Sequence, residues 1–233
     1  MSLLYWALLA AGIVATTVFL VLRATHGGKR SLYAKALASL LFIATAFAAA
    51  YENREFLSFA FWMLFGLICS MLGDIWLDLK WIYDKDKKHY LYTGFISFIV
   101  GHLCFISAIY THYDFKIRDI IISLVASFVV ASFALLIEKP LKMVYGSFKP
   151  ILFLYTAILS MTAASAVVAA FETGFSKVWV VMSIGGILFA LSDLVLSGMY
   201  FGEGKNTKLN IVVNHTLYYA AQFTMAATIL CIK

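Results

Sequence analysis

Proline is nearly missing from this 233-residue chain: there are two, and neither interrupts a long apolar run. Charge is scarce as well, with Asp, Glu, Lys and Arg making up 13% of the residues against 63% hydrophobic ones. A soluble domain carries roughly a quarter of its residues charged, so this composition, with a mean hydropathy of +0.92, excludes an ordinary soluble surface. Cysteine is limited to Cys69, Cys104 and Cys231, all inside apolar runs and without paired metal spacing. They read as small buried hydrophobes, which excludes a disulfide framework or a thiolate zinc site. There is no Gly-x-Ser-x-Gly elbow, no P-loop and no dinucleotide glycine pattern, so the common soluble nucleophile and nucleotide chemistries are also excluded. No Lys or Arg precedes the first apolar run and no small-residue cleavage site follows it, so a cleaved signal peptide is not expected.

What the chain has is apolar runs of membrane-spanning length, about 20 residues each. They predict about eight transmembrane helices over Ser2 to Leu22, Leu32 to Tyr51, Leu57 to Leu79, Tyr92 to Tyr113, Ile117 to Ile137, Ile151 to Ala170, Val178 to Phe201 and Ile211 to Ile232. Continuous apolar character over such lengths favours helices over the alternating ten-residue strands of a membrane barrel. The expectation is an all-α membrane protein forming one polytopic domain over residues 1–233. Connectors such as HGGKR and GEGKN fit tight surface turns, and KDKKHYLY lengthens the fourth helix or lies along the interface.

Of the 18 Lys and Arg residues, only Arg54, Lys116, Arg118, Lys177 and Lys233 fall on the side of the even connectors and the termini. The positive-inside rule then predicts both termini outside the cytoplasm. The net charge of +6 is a matter of topology and of contact with anionic membrane lipid, and no aromatic-interleaved basic patch points to nucleic acid.

Within these runs, a few polar residues ask for a function. A carboxylate at the centre of a membrane helix costs roughly 2.5–3.5 kcal/mol on insertion scales, and such groups usually face a partner or a water-filled cavity. Asp193 and Asp74 both fall toward the cytoplasmic leaflet, and Lys35, Tyr155, Asn214 and His215 reach similar depth from other helices. Gly186, Ala190, Asp193 and Ser197 form a small-residue stripe that turns the aspartate into the bundle. Gly66, Ser70, Asp74 and Asp78 share a second face, and His215, Tyr218 and Gln222 a third. A faint repeat aligns FGLICSMLGDIWLDL with IGGILFALSDLVLSG, Asp74 on Asp193, and IVGH with VVNH. A duplicated four-helix unit follows as an expectation, with the site at the repeat interface.

Asp74 in LGDIWL, His102 in GHLCF, Tyr155 followed by Met161, Ser192-Asp193 in FALSDLVL, and YYAAQ from Tyr218 to Gln222 together resemble the lysoplasmalogenase, or YhhN-like, membrane family. The resemblance spans nearly the whole chain and departs at Lys35-Ala36, where the family often has Lys-Pro. It implies hydrolysis of the vinyl ether bond of a lysophospholipid to a fatty aldehyde and a glycerophospho-base. A bacterial inner (plasma) membrane location is expected, with the site toward the cytoplasmic leaflet. Vinyl ether hydrolysis needs a proton at carbon, a stabilised oxocarbenium and an attacking water, which two carboxyls supply. Asp74 and Asp193 are the expected pair, with no cofactor. His102, Tyr155, Asn214, His215, Tyr218, Tyr219 and Gln222 are candidates for orienting groups or water, and Lys35 for the lipid phosphate at the cytoplasmic lip.

Each role has a structural rival. The aspartates can serve as interhelical glue, the histidines as core bridges, Tyr218 and Tyr219 as packing, and Lys35 can snorkel. Asp78 is expected nearer the interface, solvated or ion-paired, so that Asp78→Asn is nearly silent. His102, His215, Asp74 and Asp193 as a zinc site is a minor alternative. A proton-coupled transporter or lipid carrier using the same aspartates is the rival function.

Overall fold

In a computed structural model describing residues 2–233, the chain forms eight α-helices. They are α1 (Leu3–Thr25), α2 (Gly28–Glu52), α3 (Leu57–Leu79), α4 (Lys87–His112), α5 (Ile117–Leu136), α6 (Lys149–Glu172), α7 (Lys177–Phe201) and α8 (Lys208–Thr228). The only extended pairing among the described residues is an isolated antiparallel bridge between Met143 and Gly202. The fourth helix does begin early, at Lys87, so part of KDKKHYLY belongs to it.

Seven of the helices are long and apolar enough to cross a bilayer, and the chain is a multi-pass membrane protein. The exception is α8, which the apolar runs had placed among the spans. Its inner face carries Asn214, His215, Tyr218, Tyr219 and Gln222, all buried. Because α8 packs against α1, α2, α3 and α7, those groups face protein, and the helix needs less apolar character than its neighbours.

The principal partnerships are α1 with α2, α3 with α4, α5 with α6 and α7 with α8. Small residues set close approaches in the α3–α4 pair and between α6 and α7. A Cβ added at Gly101 of α4 would stand 3.0 Å from the Gly66 carbonyl of α3, and one at Gly186 of α7 would stand 2.9 Å from the Ala163 Cα of α6. The small-residue stripe of α7 is thus the surface that meets α6.

The two halves are not packed alike. α1 reaches α8, whereas among the described residues α5 packs on no helix but α6. Asp119, Ser123, Ser127 and Ala131, spaced by four, form the narrow buried strip of α5, while Ile121, Leu124, Val125, Phe128 and Val129 remain exposed to lipid. A lateral cleft therefore lies between α5 and α7, floored by α6. Its lower end is tied by the segment after α5. There Lys149 lies 2.7 Å from Glu138 and holds that carboxyl below its ordinary range, helped by the Tyr145 amide, and the Val144 amide donates to the Phe201 carbonyl at 2.9 Å.

Both termini sit at one end of the bundle. The Ser2 amide donates to Glu52 at 2.7 Å, and the Asn53 side chain donates to the carbonyls of Ile229 and Ile232 at 2.8 and 2.9 Å. The basic connectors gather at the other end, where Arg23 meets Asp78 from a neighbouring helix. Reporter fusions at the two termini are therefore expected to report one and the same non-cytoplasmic side. Cytoplasmic signal from both would invert the topology, and opposite signals would contradict the packing.

Candidate functional site

Two carboxylates from α3 and α7 meet in the interior, and their surroundings differ. Asp74 lies 3.2 Å from the Lys35 ammonium and accepts hydrogen bonds from the Tyr218 hydroxyl at 2.8 Å and the Ser39 hydroxyl at 2.9 Å. Asp193 accepts a hydrogen bond from the Tyr155 phenol, and among the described residues no cation stands within ion-pair distance of it. Each aspartate thus receives a tyrosine from another helix, but only Asp74 has a countercharge.

The residues beside Asp193 are fixed by α8. Asn214 donates to the Ser192 carbonyl at 2.7 Å and approaches the Ser192 hydroxyl at 3.0 Å, which pins the turn of α7 that presents Asp193. The Tyr219 hydroxyl donates to the Lys35 carbonyl at 3.1 Å and fixes α2 in the same layer. Phe98 and Phe189 pack edge-on against Tyr218, so the phenol that serves Asp74 stands in a well-filled aromatic setting.

Two cavities meet at this point. A small one, about 20 Å³, is lined by Lys35, Asp74, Ser192, Asp193, Asn214, His215, Tyr218 and Tyr200 with apolar neighbours. That volume is about what one water needs, and the polar lining offers it several partners. The second, about 250 Å³, is the lateral cleft of α5, α6 and α7, lined by Phe95, Val130, Phe133, Leu152, Leu159, Leu191 and Leu194 among others. Asp193, Leu196 and Tyr200 line both. An apolar chain in the cleft and a water in the small cavity would therefore meet at one carboxyl group.

Several expected site residues are brought together: Lys35, Asp74, Asn214, His215 and Tyr218 line the small cavity, Asp193 lines both cavities, and Tyr155 lines the cleft. His215 has no hydrogen-bond partner among the described residues and rests edge-on against Phe19. Tyr219 and Gln222 lie behind this layer; Gln222 is fully buried with neither amide atom hydrogen-bonded among the described residues. His102 is elsewhere. Its Nδ1 pairs with the Thr162 hydroxyl at 3.1 Å, its ring packs on Phe189, and it lines neither cavity. Among the described residues no three His, Cys, Asp or Glu side chains gather as a ligand set.

Two positional expectations are corrected. Lys35 is not at a lip: it is 3% exposed and bridges Asp74 and Asp78, at 3.2 and 3.3 Å. Asp78 is ion-paired but not solvated, since Lys35 holds one oxygen and Arg23 stands 3.7 Å from the other. The reason is the cover at this end of the bundle, where Trp81 packs against Tyr200 and shields the last turn of α3. Asp78→Asn is accordingly expected to lower stability, which makes it a poor control for the other aspartates. Ser39, Arg23 and Tyr200 are further contributors that sequence reasoning passed over. Ser39 had a signal, being four residues from Lys35 on the same helix face.

A model of the YhhN family matches residues 30–229, which includes every residue of the site except Arg23. Neither a search of curated proteins nor one of solved structures found a match.

Proposed function

This chain belongs to the YhhN family, and we propose that it is a membrane-embedded hydrolase of the vinyl ether bond of lysophospholipids, with Asp193 as general acid and Asp74 as the ionised partner. Family membership fits a lysoplasmalogenase-like activity at the level of the family. The observation that carries the specific reading is the double exposure of Asp193, to an apolar cleft open toward lipid and to a water-sized polar cavity shared with Asp74.

The roles follow from the partners. An ammonium and two hydroxyl donors favour the carboxylate form of Asp74, whereas Asp193, without a countercharge, is the group suited to carry the proton. Asp193 delivers that proton to the alkenyl carbon beta to the ether oxygen, and the electron pair of the double bond forms the new C–H bond. The resulting oxocarbenium is stabilised by Asp74. A water held in the small cavity adds to the cationic carbon and returns a proton to Asp193. The hemiacetal then passes its hydroxyl proton to the departing glycerol oxygen as the C–O bond breaks. One water is consumed, and an aldehyde and an alcohol are released. His215 and Asn214, which line that cavity, orient the water in this scheme, His215 as an acceptor or donor with open ring nitrogens and Asn214 through Ser192.

Purified protein given lysolipids that differ only at the first glycerol linkage should release aldehyde from the vinyl ether and leave the ester and alkyl ether intact. Ester cleavage, or no product from the vinyl ether, would overturn the reading. Because the steps are acid-base, turnover is expected to persist after exhaustive chelation. Loss of turnover restored by zinc would instead make ligands of the histidines and aspartates.

A further inference from the structure

The basic end of the bundle holds a third cavity of about 520 Å³, lined by Lys80, Lys85, Lys87 and Lys88 with Tyr145 and Tyr200 among its other walls. Three of these lysines lie on the exposed segment that leads into α4 and would be unremarkable alone. Lys80 is different. It is 3% exposed, yet among the described residues its ammonium makes no hydrogen bond and no ion pair. Its Nζ stands 2.8 Å from the centre of the Tyr200 ring and 4.6 Å from that of Trp81. The nearest acid in sequence, Asp78, is already engaged by Lys35 and Arg23.

An ammonium taken from water without an anion is costly, and ring faces offset only part of that cost. Burial, then the charges of Lys87 and Arg23, push the Lys80 ammonium down to about 6. Tyr145 and Tyr200 also line the apolar cleft, so the basic cavity and the cleft stand on two sides of one aromatic wall. An amphiphile whose chain lies in the cleft beside Asp193 would place its far end here.

We propose that this cavity seats the phosphate of the lysophospholipid, with Lys80 as the inner cation and Lys85 and Lys88 as the outer ones. The substrate class rests on the function proposed above. A phosphodiester supplies the single anion that Lys80 lacks, and lysine binds phosphate as a point charge whose strength grows where aromatic walls exclude water. No carboxylate lines the cavity among the described residues, so the phosphate rather than the base beyond it is the recognised group. Lys35, engaged by two aspartates, is not available for this task.

The test compares a vinyl ether lysophospholipid with the matching 1-alkenylglycerol, which has no phosphate. In Lys80→Met the KM for the phospholipid should rise about 10- to 100-fold, as expected for loss of a charged contact, with kcat within about twofold and the kinetics on alkenylglycerol unchanged. The thermal midpoint should hold or rise, because a buried polar amine without a hydrogen-bond partner among the described residues is replaced by an apolar side chain of similar length. An equal rise in KM for both substrates, or no change for either, would overturn the proposal. Binding of a non-hydrolysable 1-alkyl lysophospholipid reads the site without turnover. If the protein hydrolyses no vinyl ether but binds this lipid in a Lys80-dependent way, the hydrolase reading fails and the phosphate site stands. If inorganic phosphate binds through Lys80 and the alkyl lysolipid does not, the site serves free phosphate and the lipid proposal fails. Should Lys80→Met not fold, the exposed double variant Lys85→Gln with Lys88→Gln is expected to raise the phospholipid KM alone, and an unchanged KM would count against the proposal.

Discussion

Asp193→Asn is expected to lower turnover at least about a hundredfold and leave a folded, membrane-inserted protein, since a positioned acid or base typically contributes 10²- to 10⁴-fold. The amide keeps the size of the side chain and can still accept from the Tyr155 phenol, but it has no proton to give to carbon. No cation depends on Asp193, so its neutralisation breaks no ion pair and the thermal midpoint should stay close to that of the parent. Asp74→Asn should lower turnover by a similar factor through loss of the charge that faces the oxocarbenium, but with a second effect. Lys35 then keeps only Asp78, and the midpoint should fall as well. The pair of variants thus separates chemistry from scaffolding. Were the aspartates ionised interhelical glue alone, the Asp193 amide would be tolerated or stabilising, because a charged carboxylate in hydrocarbon costs more than an amide. Near-parental turnover in Asp193→Asn would sink the two-carboxylate mechanism.

The helices were legible because bilayer thickness imposes a length on each apolar run, which all eight meet, and seven of them are also apolar enough to cross. α8 was read from its apolar run like the others, and the run misjudged it: its buried Asn214, His215, Tyr218 and Gln222 face surrounding protein, so the helix is less apolar than a lipid-facing span. The pairing of Asp74 with Asp193 across helices followed from depth, and the structure does bring both to one cavity. Depth failed for Asp78, and for Lys35 only in its assignment to the lip, since it does reach Asp74. Counting residues from a helix end assumes that the end meets water, whereas Trp81 and Tyr200 roof the last turn of α3 and bury Asp78 and Lys80 together. Arg23 was read as a topology signal since its partner is supplied by a helix distant in sequence, which no local spacing reveals. The cleft was equally hidden. It exists because α5 packs on α6 alone, and an apolar run looks the same whether one neighbour or three surround it.

The largest effect on stability is expected at Lys35. Four charged groups from three helices form one chain: Arg23 near Asp78, Asp78 on Lys35, Lys35 on Asp74. The chain is neutral as a unit, which is the condition for keeping it out of water. Lys35→Met retains the length and apolar stem of the side chain but leaves two buried carboxylates facing one arginine. Breaking a buried pair by removing one partner costs about 3–5 kcal/mol, so the variant should unfold at markedly lower temperature in detergent or fail to accumulate. The cause can be isolated by restoring neutrality rather than contact. Lys35→Met combined with Asp78→Asn again has one cation, Arg23, and one anion, Asp74, and should recover part of the loss even though it has lost more hydrogen bonds than the single variant. Asp78→Asn alone should be destabilising, because it leaves Arg23 and Lys35 sharing Asp74. A double variant less stable than Lys35→Met would show that specific contacts, not charge balance, hold this end of the bundle. Recovery of stability without recovery of turnover is the expected result, since Asp74 would still lack the ammonium that favours its ionised form.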